Sequence, residues 1–384
     1  MNLRRVAAVA SKEWREVIRD RMFTLLAFLL PILWIVVLGY GIVLDVENVP
    51  VAVVDRDRSA LSRDYLYRFV ESRYFSFQGY AASEEEADAL LQDGTVRVAV
   101  VVPEKFQERL LAGQSVGVQT LIDGIFPLRA DIVKGYVIAI SSAFNEERLL
   151  DYFSRRSGIS MEQAEAQARP INLEVRYLYN EEIRSAWSIV PALVMFALMV
   201  SSPLLTALGI VREKETGSIY NVYCSTVTRV EFLAGKLLPY VAISMVNAGV
   251  LWTAATLWFG VPFKGSLAFF FAASFVFVLC STGIGLLVSL LVRTQIAALV
   301  VTLVVSLVPT LLFSGLIVPV SSLSRGSQIQ GHLFPGMYYT NILRGVFLKG
   351  VGPVVLWKDL LALVVYASVL GTIGYHLFTK RPRS

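Results

Sequence analysis

Histidine and cysteine are almost missing from this sequence, with two of each in 384 residues. His332 and His376 stand too far apart in the expected topology to share a zinc ion, and neither has the spacing of a histidine–aspartate acyltransferase. Without a partnered histidine the many serines have no base to activate them, so nucleophilic hydrolysis is unsupported. Cys224 is expected in a loop and Cys280 deep in an apolar run, so neither a disulfide framework nor a thiolate metal site can be built. No G-x-x-x-x-G-K-[ST] segment occurs, which removes the usual phosphate cradle. The glycines of 113–120 lack the lysine and read as a turn before a strand. Charge is also missing from the middle of every long apolar run. A carrier driven by protons or sodium generally needs at least one such group. Energy for any transport must then come from outside the bilayer, although a facilitator stays open.

What the chain has instead is apolar length. Hydrophobic residues make up 55% and the mean hydropathy is +0.60. Runs of about 20 residues, enough to cross roughly 30 Å of hydrocarbon, recur six times. They are placed at 22–44, 187–211, 237–259, 266–292, 296–320 and 358–379. The first lacks a cleavage site before Asp45 and follows 21 basic, amphipathic residues, so an uncleaved anchor is expected. The fold class is therefore a polytopic α-helical membrane protein with about six transmembrane helices and an inserted extracytoplasmic mixed α/β domain.

Charge divides the chain. Residues 45–185 hold 16 basic and 23 acidic residues, and the remainder holds 19 and 7. The basic excess flanks the apolar runs, which marks topology rather than nucleic acid as its cause. Arg4, Arg5, Lys12, Arg15, Arg19, Arg21, Arg212, Lys214, Arg229, Lys236, Arg293, Lys380, Arg381 and Arg383 fall on one side. Only Lys264, Arg325, Arg344, Lys349 and Lys358 fall on the other. Both termini are therefore expected in the cytosol and the 45–185 domain outside, in the inner membrane of a bacterium. Residues 1–21 read as an amphipathic helix lying at that anionic cytosolic surface.

The 45–185 domain alternates strand and helix patterns. Strands are expected at 49–54, 96–102, 116–122 and 172–179. Helices are expected at 61–72, from a cap at Ser83 to Gly94, from Pro103 to Gly113, at 128–154, and after Ser160. Segment 321–357 is too polar to span but rich in aromatics. Short re-entrant or interfacial helices broken at Gly331, Pro335 and Gly336 fit it.

The loop at 212–236 carries most information. It opens with densely mixed charge, continues with Ile219, Val222 and Tyr223 on one helical stripe, and closes with Thr228 and Glu231 as a capping box. Here R-E-K-E-T-G at 212–217 and T-R-V-E-F-L-A-G-K at 228–236 resemble the permeases of ABC-2 type exporters, in particular a drug-efflux subgroup with a large periplasmic domain. The similarity extends over the whole chain, including Lys12, Glu13 and Trp14. Two positions depart from the common pattern: Tyr220 replaces an acidic residue and Thr226 a proline.

The resemblance implies a membrane permease without enzymatic activity or cofactor, served by a separate ABC ATPase subunit. Residues 212–225 would form a coupling helix, with Arg212, Glu213, Lys214, Glu215, Thr216, Gly217, Ser218, Tyr220, Thr228 and Glu231 as contacts. Lys12, Glu13 and Trp14 of the first helix would touch the same subunit. Other implied partners are a second permease copy, identical or not, a periplasmic adaptor and the lipid bilayer. The competing reading is a membrane receptor whose α/β domain senses a ligand; a membrane-embedded enzyme is a third, disfavoured by the scarcity of histidine.

Overall fold

In the computed structural model six helices among the described residues are long and apolar enough to cross a membrane. Residues 2–42, 46–157, 178–182, 184–218 and 226–378 are described. The stripe at Ile219, Val222 and Tyr223, the positions Tyr220 and Cys224, the helix expected after Ser160, most of the 172–179 strand, and the basic residues 380–383 lie outside them.

The chain divides into two units, 1–43 with 177–384, and 44–176. The first is helical. Helix α1 (Leu3–Arg19) meets α2 (Arg21–Gly41) at Asp20, whose carboxylate accepts from the N–H groups of Met22 at 2.9 Å and Phe23 at 3.3 Å. That cap satisfies donors which the first turn of α2 leaves free.

The second unit is an α/β layer. Strands β1 (Val49–Asp55), β2 (Phe75–Tyr80), β3 (Val98–Val102) and β4 (Gln119–Ile122) form one sheet in the order β2-β1-β3-β4. β1 is parallel to β2 and β3, and β4 runs antiparallel to β3. Parallel neighbours need crossovers, and helices α3 (Ala60–Val70) and α4 (Glu84–Gln92) supply them. Ser59 and Ser62 cap α3 reciprocally, and Ser83 caps α4 by accepting the Glu86 N–H. Helix α5 (Phe106–Leu111) starts three residues after Pro103, because Lys105 turns left-handed at φ +59°. The long α6 (Pro127–Ser157) packs Val133, Val137 and Phe144 onto Val51, Val53, Val98 and Val100 of the sheet. The apolar stretches 51–54 of β1 and 98–102 of β3 are buried on both faces, as interior strands require. Strand β2 has no such run. Ser76, Gln78 and Gly79 interrupt it, and its pairing with β1 slips at Val51 and Ala52, so only the sheet makes it recognisable.

Helix α7 (Ser185–Glu215) is the axis of the first unit, buried from Ile189 through Val211. Around it pack α2, α8 (Arg229–Thr253, continued by a wider turn to Trp258), α9 (Leu267–Leu291) and α10 (Gln295–Phe313). α13 (Pro353–Leu377) packs on α9 and leaves most of its apolar surface open, as a lipid-facing helix does.

Three helix ends differ clearly from the hydropathy reading. α7 continues through Glu215, and α8 begins at Arg229, where the Thr228–Glu231 capping box starts it. Helical turns thus take up both ends of the 212–236 stretch. α10 stops at Phe313 although apolar residues continue to Val320; Gly315 turns left-handed at φ +78° and redirects the chain. Beyond it lie α11 (Arg325–His332) and α12 (Pro335–Arg344). The break between them falls at Leu333 and Phe334. Gly331 lies inside α11, and Pro335 opens α12, where its missing N–H does no harm. α12 buries Met337, Tyr339, Ile342 and Leu343, with Tyr339 stacked on Phe277 of α9.

Candidate functional site: a buried ion cluster joining three helices

Three helix segments meet where α1 crosses the end of α7 and the start of α8. α1 can lie close because Gly235 of α8 has no side chain. A Cβ there would come within 2.8 Å of Val9 Cβ and 2.9 Å of the Val6 carbonyl oxygen. Val6, Ala10, Glu13 and Val17, spaced i, i+4, i+7 and i+11, lie on one face of α1, the face turned inward.

Glu13 is therefore carried into the interior. Its carboxylate accepts from Lys236 Nζ and, at 2.8 Å, from the Tyr240 hydroxyl. Lys236, which has no exposed surface, also lies 2.9 Å from Glu213 of α7. Lys12 completes the set by pairing with Glu213 and, at 3.6 Å, with Glu16. Isolated ions in such a place would cost several kcal/mol each, and here two buried carboxylates face two ammonium groups. The oxygens of Glu13, Glu16 and Glu213 lie within 4.8 Å of one another. A metal ion could accept that spacing, but Lys12 and Lys236 already supply the positive charge to the same oxygens. The arrangement is an ion-pair lock.

Burial pushes the Glu13 carboxyl above its usual range, Lys236 pulls it back, and the nearby Glu213 adds to the rise. Burial alone would lower Lys12; the hydrogen bond and charge of Glu213, with the charges of Glu16 and Glu13, outweigh it and hold the amine above its ordinary value. Gly209 of α7 has a related role, since any side chain there would collide with the Tyr240 hydroxyl that holds Glu13.

A second contact lies one turn away. Arg212 donates to Asp20 at 2.6 Å, and its guanidinium lies 5.3 Å from the centre of the Phe23 ring. Burial would raise the Asp20 carboxyl, but Arg212 and the N–H groups of Phe23 and Met22 outweigh it and hold it below the usual range. Its contribution to stability is thus present above the ordinary aspartate pKa and fades as pH falls through the lower folded value. Asp20→Ala should cost about 1–2 kcal/mol, the worth of a cap plus a partly exposed pair. Asp20→Asn, which keeps the capping oxygen, should cost less. Thermal unfolding in detergent measures both.

Glu231 ties a third point. It accepts from the N–H of Thr228 at 2.9 Å and of Asn2 at 2.6 Å, and Arg5 Nη1 lies 3.7 Å away. Phe232 stacks on Phe378 just beyond α13. Each distinctive residue of the 228–236 motif thus has a packing role: Thr228 and Glu231 cap, Phe232 stacks, Gly235 admits α1, and Lys236 joins the lock.

The other residues singled out from sequence are placed as follows. Lys214 donates to the Ser289 carbonyl. Glu215 accepts from the Gln295 backbone at 3.2 Å and side chain at 2.8 Å. Thr216 bonds back to the Arg212 carbonyl at 2.9 Å, and Gly217 is left-handed at φ +75°. Ser218 lies 3.2 Å from the Thr216 hydroxyl. Trp14 is exposed and borders a groove with Arg15, Leu238 and Pro239. Glu13, Glu213, Thr228 and Glu231 therefore converge on one assembly, whereas Glu215, Thr216 and Trp14 stay on its surface. Asp20, Tyr240 and Glu16 were not anticipated. Nothing local distinguishes them, because their partners are remote in the chain.

Residues 21–376 match the family described as ABC-2 family transporter protein. The chain is 31% identical over 383 residues to the "Probable multidrug ABC transporter permease YbhS" of Escherichia coli K12, covering 99% of this chain and 98% of that protein. It is 24% identical to "Probable multidrug ABC transporter permease YbhR" of the same organism, over 98% and 99% of the two. "ABC transporter G family member 20" of Dictyostelium discoideum is 22% identical, over 90% of this chain and 46% of that protein. With six helices fit to cross a bilayer and similarity extending nearly end to end, this multi-pass membrane protein belongs to the ABC-2 family of transporter proteins.

Proposed function

We infer that the chain is the membrane permease of an ATP-driven exporter for hydrophobic or amphipathic compounds. The observation that carries this is the ion lock. It fastens α1 to both helices that flank the 216–228 segment, so a push on that segment moves three helices together. With no phosphate-cradle motif in the chain, that push would come from a separate ABC ATPase subunit on the same face. Glu215, Thr216, Ser218, Tyr220, Thr228 and Arg229, with Lys12 and Trp14 of α1, are the proposed contacts. ATP binding would close a pair of ATPases and shift a pair of permeases, alike or different, between two accessible states.

The excess of basic residues around this face supports a cytosolic placement, both termini included, and an extracytoplasmic α/β unit in a bacterial inner membrane. That unit would guide released compound or dock a periplasmic adaptor. The multidrug names of the relatives support the cargo class. The sensor reading finds no comparable support.

The test replaces Thr216 and Ser218, which flank Gly217, with glycine and follows ATP-dependent dye efflux from inverted vesicles. Export should fall at least about tenfold, with membrane insertion and melting temperature unchanged. Undiminished ATP-dependent export would overturn the reading.

A further inference from the structure

Arg344 is the last residue of α12, at the opposite end of the bundle from the ion lock. Its Nε donates to the Ser188 carbonyl at 3.4 Å and its Nη2 to the Leu316 carbonyl at 3.3 Å. Ser188 is in the first turn of α7, and Leu316 follows the end of α10. Both acceptors are neutral. Among the described residues no carboxylate pairs with Arg344, and residues 314–358 contain four basic residues and no acid. The next acid, Asp359, accepts from Asn341 at 3.3 Å instead.

Burial lowers the proton affinity of this guanidinium, and among the described residues no negative group restores it. The contrast with the other end is sharp: Glu13, Glu213 and Lys236 are all neutralised, and Arg344 is not. A guanidinium offers five N–H donors in a planar fork, so the two bonds made here leave Nη1 free. That fork matches the two oxygens of a carboxylate or phosphate. Trp187, next to Ser188, has a buried indole N–H with no acceptor among the described residues. Arg184 lies over the Trp187 ring at 5.6 Å, and Lys349 lies over Tyr179 at 5.7 Å. Buried donors without acceptors are rare in finished structures.

We propose that Arg344 binds the anionic headgroup, phosphate or carboxylate, of an amphiphile held at this end of the bundle. This rests on the export reading only in naming such a molecule as cargo; binding itself is a property of the isolated chain. Holding α7 to α10 would employ Nε and Nη2 alone, and a residue with only that role would not discriminate ligand charge.

The experiment titrates the purified full-length chain, in neutral maltoside micelles, by intrinsic tryptophan fluorescence. The probes are dodecyl phosphate, phosphatidylglycerol, inorganic phosphate and dodecyltrimethylammonium. Dodecyl phosphate should bind wild type and lose affinity about tenfold or more in Arg344→Gln, with a smaller loss in Arg344→Lys. Dodecyltrimethylammonium should respond equally in all three. Saturation by phosphatidylglycerol alone would assign the site to a lipid headgroup, and saturation by dodecyl phosphate as well to a soluble amphiphile; both uphold the proposal. Inorganic phosphate binding as tightly as dodecyl phosphate would overturn the amphiphile. Equal affinity in wild type and variant for whichever anionic amphiphile saturates wild type, saturation by neither, or equal losses for anionic and cationic probes, would overturn the site. If Arg344→Gln does not elute as a folded species, Arg344→Lys carries the comparison. Failure here leaves the efflux measurement on 216–218 unaffected, so the two readings fall separately.

Discussion

Lys236→Met should destabilise the bundle by about 3–5 kcal/mol, the cost of leaving buried charge without its partner. Lys236 bridges Glu13 and Glu213 with no access to solvent, so water cannot replace the ammonium. Two carboxylates would remain face to face with only Lys12 to balance them. Protonation of Glu13, already favoured by burial, would relieve part of the strain, so the loss should shrink as pH falls toward the raised Glu13 range. The double variant Lys236→Met with Glu13→Gln removes one charge of each sign and should recover a large part of the loss. The melting temperature in detergent, read across pH for the two variants, tests this. A single variant within about 0.5 kcal/mol of wild type would mean the cluster does not hold the three helices.

Gly285→Val should cost at least about 3 kcal/mol, the upper end of the range for overpacking. Gly285 of α9 lies directly against α7. Its Cβ would come within 2.8 Å of Pro203 Cα and 2.9 Å of the Pro203 carbonyl carbon, and closer still to the carbonyl oxygen. Those are backbone atoms, so no rotamer change makes room and the helices must part. Close approach at small residues is how helices gain packing energy within a membrane, where lipid already solvates apolar side chains. Gly371→Val on α13 is the control: a Cβ there meets nothing within 4 Å and helix propensity slightly favours valine over glycine, so it should cost close to nothing. Similar losses for the two variants would show that α7 and α9 are not in backbone contact.

Much of the architecture was legible because hydrocarbon imposes a length. A span must satisfy its backbone within itself and be apolar for about 20 residues, so six runs announce six helices without any tertiary information. The buried strands β1 and β3 were legible for a similar reason, since a short valine-rich apolar run suits an interior strand. β2 was not, because its polar residues and Gly79 obscure the alternation until a neighbour sets the register. The end of α10 was missed too. Composition continues apolar past Phe313, and one left-handed glycine decides where the helix stops.

The loop motif shows the limit more sharply. Glu213, Glu231 and Lys236 could be marked as distinctive from their spacing, and a mixed-charge stretch between spans invites the reading of a surface for a partner. Their side chains turn inward. Glu13 and Lys236 are 223 residues apart, Lys12 and Glu213 are 201 apart, and Asp20 and Arg212 are 192 apart. Local periodicity carries no information about pairing over such distances.

By itself the sequence determined the number of spans, the alternation of the α/β unit, the family, and the lack of a phosphate cradle, because each follows from residue types within a single window. Only the tertiary structure decided which charges are neutralised and which are not: Lys236 between two carboxylates, Arg344 against two carbonyls. The worth of a charge depends on what shares its low-dielectric surroundings, and those neighbours come from other helices.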